Sequence, residues 1–287
     1  MKKLTVISGK GGTGKTTIVS NLAVLADNLV LADCDVDAPN MHLLLKPVVK
    51  KESVFKSAKL AVKDEDKCIE CGICRDVCRF GAVTPEFKIN PIKCDGCAVC
   101  EVMCPEGAIR MEVQDTGRIY VSETKFGPMV HARLKAGGEN SGKLVSEVRD
   151  LSDELAAEQG KELILIDGSP GIGCPVVASL KGVKYTLIVT EPTLSGLSDL
   201  KRILELTKLF RITTFVMINK YDLNEEISSD IEEYCAENHI EVVGRVSFSP
   251  LINQTLREGQ LLLETIPDSE PAFQIKEVWD KLENMIE

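Results

Sequence analysis

Short apolar runs alternate with helically spaced apolar positions along most of the chain. Leu4–Ser8 is such a run; a glycine-rich turn follows, and Lys15–Asp27 then carries Ile18, Leu22 and Leu25 at helical spacing. Leu29–Asp33 reads as a second strand. The alternation stops and resumes after residue 112. There Leu144–Glu158 predicts a helix, Leu163–Asp167 a strand ending in an acid, Tyr185–Thr190 and Thr213–Asn219 two more strands, and Leu197–Leu209 the helix between them. A helix over Ile227–Asn238, a strand over Val242–Val246 and a helix after Pro250 complete the series. Ile275, Val278, Trp279, Leu282 and Ile286 mark a last, core-packing helix. Strands alternating with helices predict an α/β fold, a three-layer sandwich whose mostly parallel sheet is covered on both faces.

The interruption has its own pattern. Between residues 63 and 112 the sequence is rich in Cys, Gly and charge. Cys68-x2-Cys71-x2-Cys74-x3-Cys78 is followed, 26 residues on, by Cys94-x2-Cys97-x2-Cys100-x3-Cys104-Pro105. Gly81-Ala82-Val83 in the first run matches Gly107-Ala108-Ile109 in the second. This is the spacing of a bacterial-type ferredoxin with two [4Fe–4S] clusters, an α+β domain. Three closely spaced thiolates surround one face of a cubane, and the fourth is carried to the other cluster. The expected ligand sets are therefore Cys68, Cys71, Cys74 and Cys104 for one cluster, and Cys94, Cys97, Cys100 and Cys78 for the other. Arg79 stands where the usual proline follows Cys78. Two zinc sites, each held by four thiolates, are the competing reading, but such sites come as paired C-x2-C units rather than four-cysteine runs. The expected division is a discontinuous nucleotide-binding domain, 1–62 and 113–287, with the cysteine-rich domain inserted at 63–112.

Gly9-Lys10-Gly11-Gly12-Thr13-Gly14-Lys15-Thr16 fits G-x-x-x-x-G-K-S/T, and it lies between an apolar strand and a helix, where a phosphate-binding loop belongs. Its backbone N–H groups and the helix N-terminus favour phosphate oxygens. Lys15 is expected at the β- and γ-phosphates and Thr16 on Mg²⁺. The fold class is accordingly that of a P-loop NTPase.

The string from Lys10 through Thr16 to Thr17 resembles the deviant Walker A loop of the MinD/ParA ATPases, a family that includes the nitrogenase iron protein and Fe–S scaffold ATPases. The resemblance covers both flanks of the insertion. It implies that Lys10 reaches across a dimer to the partner's nucleotide, and that Asp35, in Asp33-Cys34-Asp35-Val36-Asp37, orients the attacking water. Asp33 and Asp37 remain open between that site and solvated or capping roles. Asp167, followed by Gly168-Ser169-Pro170-Gly171, corresponds to the acid that holds the Mg²⁺ water shell, and an apolar strand delivers it to the sheet edge where ligands bind. Asn219, in Asn219-Lys220-Tyr221-Asp222, corresponds to the base-contacting position; the same string fits the guanine-reading N-K-x-D, while the loop and switches favour ATP.

Three cysteines stand outside the two runs. Cys34 and Cys235 read as packing residues. Cys174 lies where the nitrogenase iron protein carries a cluster ligand; without a second matching cysteine, packing is favoured there too. His42, His131 and His239 are scattered. Residues 125–143, with Gly137-Gly138-Glu139-Asn140-Ser141, read as a connection ending in a Ser141 helix cap.

Net charge is −10, from 34 basic and 44 acidic side chains, and no basic patch offsets it, so binding to nucleic acid or an anionic membrane is not expected. Apolar runs are strand length, and no apolar stretch precedes the first strand to act as a signal peptide. A cytoplasmic location follows as an expectation, and in a reducing compartment clustered cysteines favour metal over disulfides. The expected function is a slow, partner-dependent ATPase that couples nucleotide state to electron transfer. It would act as a nucleotide-dependent homodimer, or a dimer with a related chain, toward a redox partner. The alternative is delivery of an Fe–S or other metal cluster to a client protein.

Overall fold

The computed structural model describes residues 1–135 and 141–286. The chain divides into two compact units. The first comprises Met1–Ser53, Ile119–Arg133 and the chain from Ser141 onward; the second comprises Val54–Arg118 with the stretch from Leu134.

Strand β1 (Lys2–Ser8) runs through the middle of the sheet, and its side chains alternate between the two faces. Leu4 and Val6 enter one apolar core, Ile7 the other. The next elements are α1 (Lys15–Leu25), β2 (Leu29–Asp33), α2 (Met41–Leu45) and β3 (Val48–Lys63). After the cysteine-rich segment come β4 (Ile109–Thr124), β5 (Gly127–Leu134), α5 (Ser141–Glu158), β6 (Leu163–Pro170), α6 (Cys174–Leu180) and β7 (Tyr185–Thr190). They are followed by α7 (Leu194–Leu209), β8 (Thr213–Asn219), α8 (Glu225–Glu237), β9 (Glu241–Val246), α9 (Pro250–Arg257), α10 (Leu262–Thr265) and α11 (Glu270–Met285).

The strand order is β3-β4-β5-β2-β6-β1-β7-β8-β9, with parallel pairing at β2–β5, β2–β6, β1–β6, β1–β7, β7–β8 and β8–β9. Both faces are covered. Residues of α1, α2, α10 and α11 join the core on one side, and residues of α6, α7 and α8 join the core on the other. Of these, Leu22, Ile275 and Leu282 are fully buried on the first face, and Ile203 and Ile231 on the second. The mostly parallel α/β sandwich expected from the pattern is therefore what forms. Among the described residues, no helix is long and apolar enough to cross a membrane.

Three stretches differ from the expectation. Residues 125–135 are not a simple connection, because Gly127–Leu134 is strand β5, with Met129, Val130, Ala132 and His131 buried beside β2. The expected glycine-rich turn at 137–140 lies outside the described residues, and Ser141 is the first residue of α5. Strand β6 continues three residues past Asp167 to Pro170, and α6 begins at Cys174.

The second unit contains two short helices, α3 (Ile73–Asp76) and α4 (Val99–Met103), one in each cysteine run. The internal repeat survives in the backbone. Positive φ recurs at Glu70 and Gly96, at Gly72 and Ala98, and at Gly81 and Gly107. The N–H groups of Ala82 and Ala108 donate to Cys78 Sγ and Cys104 Sγ, both at 3.3 Å. Gly96 cannot carry a side chain, since a Cβ there would lie 2.3 Å from the Lys59 carbonyl oxygen.

Candidate functional site: a phosphate loop and a cluster of buried acids

The loop between β1 and α1 is fixed by backbone geometry. Gly12 and Gly14 have φ of +85° and +91°, a region L side chains rarely adopt. A Cβ on Gly14 would also lie 2.4 Å from Asn219 Nδ2, and one on Gly9 would lie 2.3 Å from Asp199 Cβ. Asn219 Nδ2 donates to the Thr13 carbonyl at 2.7 Å, so the end of β8 braces the loop directly.

Lys15 is buried, and its ammonium pairs with Asp167, which is fully buried at the carboxyl half of β6. Thr16 Oγ1 donates to the other Asp167 oxygen at 2.7 Å. On the adjacent strand Asp33 sits opposite Asp167 in register. Its carboxylate accepts the Asp35 N–H at 3.1 Å, and its second oxygen is buried without a partner. Burial, reinforced by the charge of Asp167, pushes the Asp33 carboxyl well above the usual carboxylate range. Burial likewise raises Asp35, against the opposing pull of Lys15. The hydroxyl of Ser169 donates to the Cys34 carbonyl at 2.7 Å and the Cys34 N–H donates to the Asp167 carbonyl, tying the acid-bearing segment to β6.

These groups meet in a cleft of about 600 Å³, within the range of small-molecule sites. Gly11, Gly12, Thr13, Gly14, Lys15, Thr16 and Thr17 line it, as do Asp35, Asp37, Asn219 and Lys220. Asp167 stands behind Lys15 and Thr16. Thr16 and Asp167, already joined by a hydrogen bond, offer oxygen donors of the kind a hard cation takes.

Lys10 is not brought into this chain's cleft. Its ammonium pairs with Glu191 at 2.7 Å and donates to Ser195 Oγ at 3.0 Å. Asp222, the residue that completes N-K-x-D, accepts the Phe248 N–H at 2.6 Å and is not among the residues that line the cleft. The far wall is formed by Phe248, Ser249, Ile252, Asn253 and Leu256, none of which the motifs pointed to. Ser249 accepting the Leu251 N–H, with Pro250 opening α9, was the available signal: a helix start just beyond a strand end.

In the second unit the eight cysteines separate into two small cavities. Cys68, Cys71, Cys74 and Cys104 line one, together with Phe87 and Ile109. Cys78, Cys94, Cys97 and Cys100 line the other, together with Phe80 and Ile89. Among the described residues, no group of three or more His, Cys, Asp or Glu side chains is drawn together as a site for a metal ion. Cys34 and Cys235 are buried, as packing requires, and burial raises the Cys235 thiol to about 11. Cys174 is instead exposed, because it occupies the first turn of α6 at the surface. Two of the scattered histidines come together: His42 and His131 stack at 6.1 Å, and burial lowers His131 to about 4.

The model of the CobQ/CobB/MinD/ParA nucleotide-binding domain matches residues 4–263. Protein MJ0578 of Methanocaldococcus jannaschii is 35% identical over 99% of this chain and 97% of its own length. The ATP-binding protein MJ0547 of the same organism is 25% identical, covering 97% and 86% of the two chains. The Pyrococcus furiosus cell division ATPase MinD superposes with a TM-score of 0.60 over 99% of both chains at 19% identity, a likeness of fold.

The buried acids make stability depend on pH. A raised folded pKa gives stability that is complete below the unfolded value, about 3.9 for Asp, and is lost as pH rises through the folded pKa. Asp33→Asn keeps the acceptor for the Asp35 N–H and removes that loss. In thermal unfolding of nucleotide-free protein, it is expected to be more stable than wild type at neutral pH, with the gain vanishing toward pH ~4. A variant less stable than wild type at every pH would contradict a protonated Asp33.

Proposed function

The chain belongs to the CobQ/CobB/MinD/ParA nucleotide-binding family as a P-loop ATPase of the MinD/ParA type, and from that premise we propose that its ATP cycle is coupled to electron transfer through two [4Fe–4S] clusters. The observation that carries the redox half is the sorting of cysteines. Each cavity takes three thiols from one run and the fourth from the other run, the ligand sets that the repeat predicts. A cubane has iron at four corners, so its thiolates surround a cage rather than a point. A four-thiol wall around a small cavity suits it. The backbone N–H groups on Cys78 and Cys104 sulfur are of the kind that stabilise thiolate charge. When bound, the clusters would supply one-electron chemistry.

In the nucleotide half, Lys15 would neutralise phosphate charge in the ground state, Thr16 would ligate Mg²⁺ and Asp167 would hold its water shell. Asp35, at the cleft wall, orients the attacking water. Gly9, Gly11, Gly12, Thr13, Gly14 and Thr17 shape the cradle. Lys10, held by Glu191 and not among the residues that line its own cleft, acts on the nucleotide of a dimer partner. Adenine is favoured over guanine because Asp222, which would read guanine, is engaged with the Phe248 backbone; Asn219 and the 248–256 wall flank the base. Chain connectivity offers a route for coupling: the segment after Asp35 and Asp37 leads through α2 into β3, whose distal half belongs to the cysteine-rich unit. Delivery of a cluster to a client is the second reading, favoured by the exposure of Cys71 and Cys97.

Lys15→Ala is expected to weaken binding of Mg²⁺-ATP at least about a hundredfold, ~2.8 kcal/mol. Asp35→Ala should bind normally and turn over some 10²- to 10³-fold more slowly, the scale of a lost water-orienting group. Calorimetry and phosphate release separate the two, and wild-type affinity in Lys15→Ala would sink the loop assignment.

Anaerobically prepared protein should contain about eight iron atoms and about eight acid-labile sulfides per chain. Stoichiometric zinc without sulfide would replace the ferredoxin reading.

Redox titration with ADP and with a nonhydrolysable ATP analogue tests coupling. A nucleotide-dependent shift in potential is expected in wild type and should be lost in Lys10→Ala. Identical potentials in all samples, with dimerisation confirmed, would leave docking or delivery in its place.

A further inference from the structure

Glu191, at the end of β7, is used by neither the phosphate-binding nor the water-orienting group. Its two carboxylate oxygens are divided between two lysines. Lys10 Nζ lies 2.7 Å from Oε1, and Lys220 Nζ lies 3.2 Å from Oε2. Lys220 also donates to the Gly12 carbonyl at 3.1 Å, so the carboxylate is linked to the phosphate loop at both ends. The Lys10 ammonium is further held by Thr193 Oγ1 at 3.3 Å and Ser195 Oγ at 3.0 Å. The backbone that carries Glu191 is itself fixed. Its carbonyl accepts the Thr193 N–H at 2.8 Å, and a Cβ on Gly196 would lie 2.3 Å from that oxygen. Burial alone would raise the Glu191 carboxyl, but the hydrogen bonds from Lys10 and Lys220 outweigh it and hold it below the usual range.

We propose that Glu191 is a positioning residue that parks Lys10 on its own chain and releases it to the partner's nucleotide when the dimer closes. The proposal rests on the reading of Lys10 as the lysine that acts across the dimer. The division of the carboxylate makes release inexpensive. When Lys10 leaves, Lys220 still pairs with Glu191, so no partly buried charge is orphaned. The pair is about one-third exposed on the Lys10 side, and its hold is therefore modest and sensitive to salt. A modest hold suits a brake: it disfavours closure without nucleotide and yields once a nucleotide is in place. In this arrangement Ser195 and Thr193 orient the resting ammonium, while Glu191 supplies the charge.

Two measurements on the full chain decide it. In nucleotide-free protein, acylation of the Lys10 amine followed by mass spectrometry should be several-fold faster in Glu191→Gln than in wild type. Glu191→Asp, which keeps the charge, should be close to wild type, and Lys3, paired with Asp153, should be unchanged in both. Equal Lys10 labelling in wild type and Glu191→Gln would overturn the proposal. With a saturating nonhydrolysable ATP analogue, sedimentation should show a dimer three- to tenfold tighter in Glu191→Gln at low salt, the difference closing near 1 M salt, where the screening length is about 3 Å. An unchanged or weaker dimer in Glu191→Gln would also overturn it. Dimerisation of Lys10→Ala equal to wild type would instead remove the reading on which release depends, while the labelling result still decides whether Glu191 holds Lys10.

Discussion

A buried ammonium held by a buried carboxylate is the constraint on which the first unit depends. Lys15 and Asp167 lie at the meeting of β1, β6 and α1, Asp167 fully buried and Lys15 nearly so. Removing either would strand the other, a loss that for buried pairs runs to about 3–5 kcal/mol. The pair is also electrically incomplete. Asp33 and Asp35 stand close by, and burial shifts both toward the protonated form. A site with more acid than base, in a cleft whose backbone N–H groups favour phosphate, is relieved by a divalent cation arriving with an anion. The chemistry of Mg²⁺-nucleotide binding is thus already present as an imbalance in the resting protein.

That imbalance is useful only if the loop keeps its shape, and the fold fixes it from outside. Asn219 bonds to Thr13 from β8, Asp199 on α7 leaves no room for a side chain at Gly9, and Lys220 bonds to the Gly12 carbonyl. Each contact comes from an element far along the chain. The phosphate cradle is local in sequence, but its rigidity is a property of the parallel sheet that brings the ends of β1, β6, β7 and β8 to one edge.

The strands buried on both faces were legible because burial on both sides writes a continuous apolar run, as in Leu163–Ile166 and Leu187–Val189. The long β3 was not: Val48–Lys63 buries only Phe55 and Ala61, so its charged surface hid its period. β5 was missed for another reason. Gly127–Leu134 includes a histidine and an arginine, and its burial comes from packing beside β2, which no local window contains. Among the residues that line the cleft and the two cavities, those within compact motifs were readable: Gly11 through Thr17, Asp35, Asn219 and the two cysteine runs. Phe248 and Asn253 were not, and neither was Glu191, because their positions follow from strand order rather than spacing. Cys174 shows the reverse limit: a thiol read as packing lies exposed, at a helix start on the surface.

The second unit shows why the cysteines and the fold cannot be considered apart. Among the described residues its buried apolar side chains are few and mostly small: Phe55, Ala61, Ala82, Val83, Ala108 and Ile109. Large apolar residues such as Ile92 and Val102 stay exposed. A segment of this size with so little core falls in the range where small domains need covalent or metal cross-links. The repeat places its eight thiols around two cavities, and Glu70 and Ala98, non-glycine residues held at positive φ, bend the chain beside those cavities at a cost in backbone strain. Strain of that kind persists when something at the centre offsets it. The clusters proposed above would do so, while the sheet with its buried Lys15–Asp167 pair has a full apolar core of its own.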